Sequence, residues 1–329
     1  MTPTPHEVVM QMSAAWLLSR SLHVVAELGV ADVLGETPQK ASALARATGA
    51  HPQALERTLR LLSAHGVFAT RDGMVSHTPA SQLLRADHPQ SLRSLVRMFG
   101  LPFNQGTYAF LEHSLRTGRP AVEKVAPDGM FPYLAERPEE ARIFGEAMTA
   151  KARGHVASIL GTYDFSRFHV IGDIGGGHGH LLRAVLERAP AAKGVLFDLP
   201  NVIRDVADLA SERLVLQPGD FFRDPLPTCD VYLLMEVIHD WDDEQSTTIF
   251  KAVRAAAPAH AKLLVIEQLV PDEPGPHWAK TLDVLMLAVT GGLQRTGPEY
   301  EALLGASGFR LERLIDTAGG IAIVEAVPK

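Results

Sequence analysis

The sequence predicts an α/β protein: a mostly parallel sheet with helices on both faces, closed by an antiparallel C-terminal hairpin and preceded by a helical N-terminal domain. Three observations carry this. From residue 170 onward, short apolar runs alternate with helix-patterned stretches, the mark of a parallel sheet. The first of these runs enters a nearly side-chain-free turn, Val170-Ile-Gly-Asp-Ile-Gly-Gly-Gly-His-Gly-His180, and then a helix with Leu181, Leu182, Val185 and Leu186 on one stripe. Near the other end, residues 41–81 read as helix, turn, helix and hairpin, the order of a winged helix-turn-helix.

Residues 7–34 form an amphipathic helix by periodicity. Val9, Met12, Trp16, Leu17, Val24, Val25 and Leu28 make a wide apolar stripe, and Gly29 breaks it before a short second helix. A stripe this wide needs a partner surface, so a dimer-forming role is expected beside docking on the chain's own domain. Helices are expected at 41–48 and 52–65 around Gly49, with Pro52 in the first turn of the second. Residues 67–70 and 74–77 flank Asp72-Gly73, a hairpin turn. Lys40, Arg46, Arg57, Arg60, Arg71 and Arg85 make this module locally basic, as in DNA-binding relatives of the motif. The arginines of its second helix, however, interleave with Leu55, Leu59, Leu61 and Leu62, as on the solvated face of a packed helix.

Residues 92–153 read as mostly helical, broken at 118–120 and 127–129, and are rich in Phe and Met. Core packing is the ordinary use of such residues; lining a pocket for a flat apolar ligand is the functional one. Phe103, Asn104, Phe144 and Met148 are the candidate ligand contacts from this stretch. Strands are expected at 170–174, 194–199, 214–216, 231–235 and 263–267, then a hairpin of 309–316 and 321–327, which makes one edge strand antiparallel. The expected divisions are an N-terminal helical domain over 1–95, a helical linker over 96–160 and the sheet domain over 161–329.

Composition narrows the function. A net charge of −7 argues against a protein that coats nucleic acid or an anionic membrane. The single cysteine, Cys229, excludes a disulfide framework or a cysteine-rich metal site. No apolar run approaches the ~20 residues that span a bilayer, and Glu7 stands where a signal peptide carries Lys or Arg, so a cytoplasmic location is expected.

The chemistry concentrates at successive strand ends. The glycine turn lacks the third glycine of the dinucleotide fingerprint, which would fall at His180 or Leu182. It offers instead Asp173 with Gly175, Gly177 and Gly179: an acid that accepts from an ammonium or holds the turn, and glycines that admit a bulky ligand. The next strand ends in Asp198-Leu199, where a carboxylate can hold both hydroxyls of a ribose. The third ends in Asp220-Phe221, an acid and an aromatic suited to the edge and face of an adenine. Three acids at three strand tips after a glycine turn point to a nucleoside-type cofactor. The fourth strand runs through Met235 into His239-Asp240-Trp241, which puts a histidine at the same sheet edge as a candidate general base. Glu267 ends the fifth and is suited to fix the tautomer of His239. Asp242, Asp243 and Glu244 lack ligand spacing and read as a helix cap and first turn, so no metal is expected. His178 and His180 read as loop residues.

The blocks Asp-Ile-Gly-Gly-Gly-His-Gly, Phe-Asp-Leu-Pro, Gly-Asp-Phe-Phe, His-Asp-Trp-x-Asp-Glu and Gly-Gly-x-x-Arg-Thr, in this order, resemble the S-adenosylmethionine-dependent small-molecule O-methyltransferases. That family includes the plant caffeate and flavonoid enzymes, animal hydroxyindole O-methyltransferase and bacterial enzymes acting on polyketides and phenazines. The resemblance spans nearly the whole chain. It implies a Rossmann-like class I methyltransferase sheet, an N-terminal winged-helix dimerisation domain, a homodimer, and S-adenosyl-L-methionine as cofactor. By the same resemblance Asp173, Gly175, Gly177, Asp198, Leu199, Asp220, Phe221, Met235 and Trp241 surround the cofactor. His239 is the general base, with Asp240 and Glu267 beside it, and Met148, Asp283, Met286 and Thr290 surround an aromatic acceptor. Two positions depart from the pattern: Gln294 stands where many relatives carry Glu, and Met235 where many plant relatives carry Lys. The expected reaction is methylation of a phenolic hydroxyl. The rival expectations are a hydroxylase or decarboxylase of a polyketide that uses the cofactor structurally, and a ligand-sensing DNA-binding regulator.

Overall fold

A computed structural model describes residues 4–329. The chain divides into two compact units, Met1–Gly106 with Phe131–Lys151, and Thr107–Met130 with Ala152–Lys329. The stretch 96–160 is therefore not a body of its own. The two units share its residues between them, an interleaved division in place of linear boundaries at 95 and 160.

In the first unit, Thr4 caps the helix Pro5–Glu27 through a capping box with Glu7. Gly29, with φ of 66°, turns the chain into the helix Val30–Leu34. The apolar stripe splits in two. Val25 is buried, whereas Val9, Met12, Trp16 and Leu17 are exposed, with Trp16 at 64%. The helices Ala41–Thr48 and Pro52–Ala64 meet through Leu44, Leu55, Leu59 and Leu62, all buried. A three-stranded sheet follows in the order β1, β3, β2, with β1 at Gln39–Lys40, β2 at Phe68–Arg71 and β3 at Met74–His77. Asp72 and Gly73 both have positive φ, as a two-residue type I′ hairpin requires. Arg85, one of the basic residues of this module, is paired with Glu36 and Asp87 at 2.8 Å each. Phe103 packs against Tyr133 at 5.1 Å between ring centroids, and Phe144 and Met148 pack on a small core of Met98, Leu101, Ile143 and Ala147. The Asn104 amide donates to the Met98 carbonyl at 2.6 Å.

The second unit is built on a seven-stranded sheet. Its strands are β4 (Val170–Ile174), β5 (Lys193–Asp198), β6 (Leu214–Pro218), β7 (Val231–Met235), β8 (Lys262–Glu267), β9 (Phe309–Asp316) and β10 (Ala322–Pro328). They lie in the order β6, β5, β4, β7, β8, β10, β9, and β4 to β8 are parallel. β10 runs antiparallel to both β8 and β9. The antiparallel strand is thus one in from the edge, not the edge itself. β9 lies beyond an open position next to β8, and the hairpin return fills that position. Alternation along each strand separates two cores. Val231, Leu233, Leu264 and Ile266 face one side, with the helix His180–Arg188; Tyr232, Leu234, Leu263 and Val265 face the other, with the helices Asp243–Ala256 and Gly297–Ala306. Strand order reverses between β4 and its neighbours β5 and β7, and the carboxyl ends at such a switch point form a crevice. Among the described residues no helix is long and apolar enough to cross a membrane.

Candidate active site

The glycine turn opens this crevice. Gly175, Gly177 and Gly179 have φ of 67°, 55° and 68°, a backbone conformation that L side chains rarely adopt. A Cβ on Gly176 would lie 2.5 Å from the Asp173 carboxyl carbon and 2.6 Å from Leu196 Cδ1. A Cβ on Gly177 would meet nothing within 4 Å, so that position leaves room for a ligand. Asp173 is buried beneath the turn, and its Oδ1 has no hydrogen-bond partner. Burial, reinforced by the nearby Asp198 charge, pushes its pKa up to about 7. Asp198, at the end of β5, accepts from Gly177 N–H at 2.7 Å with one oxygen and from Leu199 N–H at 2.7 Å with the other. Each oxygen keeps a lone pair for a further donor. Burial also raises the Asp198 pKa, against the pull of those two N–H groups.

Asp220, beyond β6, folds its loop by accepting from Phe222 N–H at 2.9 Å. Phe221, Phe222 and Trp241 pack edge to face, with Phe222 and Trp241 centroids 4.8 Å apart and Phe221 and Trp241 centroids 5.9 Å apart. A Cβ on Gly175 would lie 3.1 Å from Val237 Cγ2 and 3.6 Å from the Phe221 ring, so the turn, the aromatic cluster and the end of β7 converge. The fit to S-adenosylmethionine rests on these features. The orphaned carboxylate oxygen of Asp173 suits its ammonium, the lone pairs of Asp198 suit a ribose diol, and the open face of Gly177 admits its bulk.

The other side of the crevice carries the histidine. β7 ends at Met235, and Glu236 follows with φ of 55°, a strained conformation for this residue type. The turn Ile238–Asp240 then delivers His239, which is 5% exposed. His239 Nδ1 lies 2.8 Å from Glu267 Oε2, while Glu267 Oε1 accepts from the N–H groups of Ile238 and His239 at 3.0 and 3.2 Å. Glu267 is fully buried. Its carboxylate assigns the ring proton to Nδ1 and leaves Nε2 as the proton-accepting nitrogen. Asp240 Oδ1 stands 3.8 Å from Nε2, an ion-pair rather than a hydrogen-bond distance. Asp242 caps the following helix by accepting from Gln245 N–H at 2.8 Å.

Two groups that sequence reasoning left without a role hold this turn. Arg295, 1% exposed, donates to the Ile238 and Trp241 carbonyls at 3.2 and 3.0 Å and pairs with Asp243 at 2.8 Å. The other is His155, whose Nδ1 lies 3.2 Å from Glu236 Oε2. Arg295 had a signal in the Gly-Gly-x-x-Arg-Thr block; the pairing of His155 with a residue 81 positions away had none.

The acceptor candidates fall in both units. Phe103, Asn104, Phe144 and Met148 belong to the first, and Asp283, Met286 and Thr290 to the second. In the second, Asp283 Oδ1 accepts from Gln294 N–H at 2.9 Å, and Thr290 Oγ1 accepts from Gly292 N–H at 3.1 Å. A Cβ on Gly292 would collide with the His239 carbonyl oxygen and come within 2.8 Å of Asp240 Cα. The loop after the helix Trp278–Val289 is thereby pressed onto the histidine turn.

Residues 108–310 match the O-methyltransferase domain, and residues 10–87 match the O-methyltransferase dimerisation domain. The chain belongs to this O-methyltransferase family. It is 39% identical over 327 residues to the phenazine O-methyltransferase PhzM of Lysobacter antibioticus, covering 98% of this chain and 96% of that one. It is 35% identical to the 8-amino-8-demethylriboflavin N,N-dimethyltransferase of Streptomyces davaonensis, covering 92% of this chain and 90% of that one. The crystal structure of NcsB1, an O-methyltransferase from neocarzinostatin biosynthesis in complex with S-adenosylmethionine and 2-hydroxy-5-methyl naphthoic acid, superposes with a TM-score of 0.77. It is 29% identical, with 94% of this chain and 96% of that one covered. The fold is that of the class I methyltransferases, and the protein is an S-adenosylmethionine-dependent methyltransferase of the secondary-metabolite type.

Proposed function

We propose that this enzyme methylates a phenolic hydroxyl of an aromatic small molecule, with His239 as general base. The observation that carries the reading is the 2.8 Å contact between His239 Nδ1 and the buried Glu267 carboxylate. It fixes the tautomer in which Nε2 accepts a proton and stabilises the imidazolium once formed. A phenol with a pKa of ~10 is mostly protonated at neutral pH, so a positioned base contributes ~10²–10⁴ in rate. S-adenosylmethionine, when bound, supplies an electrophilic methyl group on a sulfonium. Asp173 and Asp198 hold its ammonium and ribose hydroxyls, Gly175 and Gly177 lie against its chain, and Asp220, Phe221 and Trp241 address its base. Met235 and Leu199 complete the rim, and Asp283, Met286 and Thr290 border the acceptor. We assign the working form as a homodimer on the strength of the dimerisation domain and the exposed Val9, Met12, Trp16 and Leu17.

One relative is an N,N-dimethyltransferase, so an amine acceptor is the second reading. The histidine argues for oxygen. A neutral arylamine attacks without losing a proton first, whereas a phenol gains from a base placed beside it.

His239→Ala is expected to lower kcat by ~10²–10⁴ while the S-adenosylmethionine Kd stays within about threefold. Single-turnover methylation of hydroxylated aromatics with methyl-labelled cofactor, paired with calorimetric titration of the cofactor, checks this. Undiminished turnover by the variant would remove His239 from the role of base. Product mass separates the rival chemistry, since gain of a methyl and gain of an oxygen differ.

A further inference from the structure

Gln294 is an anomaly of the second unit. Its residue is 4% exposed, and neither Oε1 nor Nε2 has a hydrogen-bond partner. A buried primary amide with all its hydrogen-bonding capacity unmet costs free energy that native cores rarely tolerate. Its backbone is fixed on both sides. Gln294 N–H donates to Asp283 Oδ1 at 2.9 Å, Arg295 grips the Ile238 and Trp241 carbonyls, and Arg295 C=O accepts from Val270 N–H at 3.0 Å. Two residues earlier, Gly292 lies against the His239 carbonyl. The backbone that carries the amide is therefore fixed beside the histidine turn and Asp283, while the amide itself is unsatisfied.

We infer that the Gln294 amide is a specificity-determining group: its Nε2–H donates to a ring nitrogen or carbonyl oxygen adjacent to the hydroxyl that is methylated. This rests on the proposed reaction at His239 and names the acceptor class for it, an aromatic hydroxyl flanked by a hydrogen-bond acceptor. The reasoning is one of satisfiability. A polar site buried in this way loses little to an acceptor that completes it and rejects the analogue that leaves it unpaired. A carboxylate at the same position would have no N–H to donate.

The test compares 8-hydroxyquinoline with 1-naphthol, which differ by a ring nitrogen for a C–H beside the hydroxyl, in EDTA-containing buffer. Binding is titrated into the complex with S-adenosylhomocysteine, and methylation is followed with labelled cofactor. The intact protein is expected to favour 8-hydroxyquinoline by about tenfold to a hundredfold in Kd and in kcat/KM. Gln294→Leu is expected to erase that preference by weakening 8-hydroxyquinoline alone, and to raise the ligand-free Tm because the unmet polar atoms are gone. An unchanged preference in Gln294→Leu, or a lowered Tm with no loss of preference, overturns the inference. His239→Ala keeps the reading of the base separate. It should lose turnover and retain the binding preference, whereas turnover surviving in that variant counts against the base and leaves the Gln294 comparison intact.

Discussion

Two glycine-bearing loops serve one sheet edge and are built for opposite purposes. The turn after β4 uses glycine to stay open: its backbone has positive φ, and a Cβ on Gly177 would touch nothing. The loop at Gly291–Gly292 uses glycine to close, and a Cβ on Gly292 would collide with the His239 backbone. The first presents bare backbone and acids to a ligand. The second has no room for a side chain at Gly292, where it clamps the histidine turn together with Arg295. On the proposed reading, cofactor holding is a matter of space left vacant, and base positioning a matter of space filled.

Methyl insertion at each loop breaks the comparison most directly. Gly292→Ala is expected to shift the His239 turn, lowering kcat by at least ~10² and Tm with it, because well-packed positions do not absorb a clash with backbone. The cofactor Kd should change little. Gly177→Ala should do the reverse, weakening the cofactor while the strained φ costs ~1–2 kcal/mol of stability. Parallel loss of cofactor affinity in both variants would erase the distinction. A smaller step acts on charge alone. Glu267→Gln keeps the shape of the buried partner but lets the amide donate, so the tautomer of His239 is no longer fixed. A fall in kcat of ~10–10³ with an unchanged cofactor Kd is expected, and ring-nitrogen NMR shifts report the tautomer directly. A wild-type tautomer ratio in that variant would deny Glu267 its orienting role.

The two loops also differ in how far the sequence reveals them. The open one is contiguous. Strand, glycines, helix and the acids at the following strand ends lie in chain order, and the expected spans 170–174 and 231–235 coincide with β4 and β7. The clamp is assembled from residues 236–241, 267, 283 and 290–295, brought together only by the sheet. Glu267 was legible because it ends β8, and His239 because it lies in the short turn that follows the end of β7. Arg295 and the His155–Glu236 pair act through contacts between distant segments, which no local spacing records. The position of β10 inside the edge was hidden for the same reason, since a hairpin pattern gives the pairing of its own strands and not which of them meets β8. The sharing of residues 96–160 between two units likewise follows from contacts between distant segments, which helical periodicity does not record.

The smallest expected effect bears on what the open side of the crevice costs the ligand-free protein. Asp173 has a folded-state pKa of about 7, raised from its ordinary carboxylate value by burial and by Asp198. The folded protein therefore holds this proton more tightly than the unfolded chain does. The stability contributed by the protonated acid is fully present below pH ~4 and is lost as pH rises toward ~7. Asp173→Asn mimics the protonated form at every pH. Ligand-free, it should match the parent near pH 4 and exceed it at pH 8 by roughly 3–6 °C in Tm, while binding S-adenosylmethionine more weakly because an amide cannot neutralise an ammonium. Thermal melts across pH 4–8, with and without cofactor, check both halves. A variant less stable than the parent at pH 8 would mean that the carboxylate supports the turn in its ionised form. Greater stability joined to weaker binding would mean that the carboxylate is kept buried for the ligand and not for the fold.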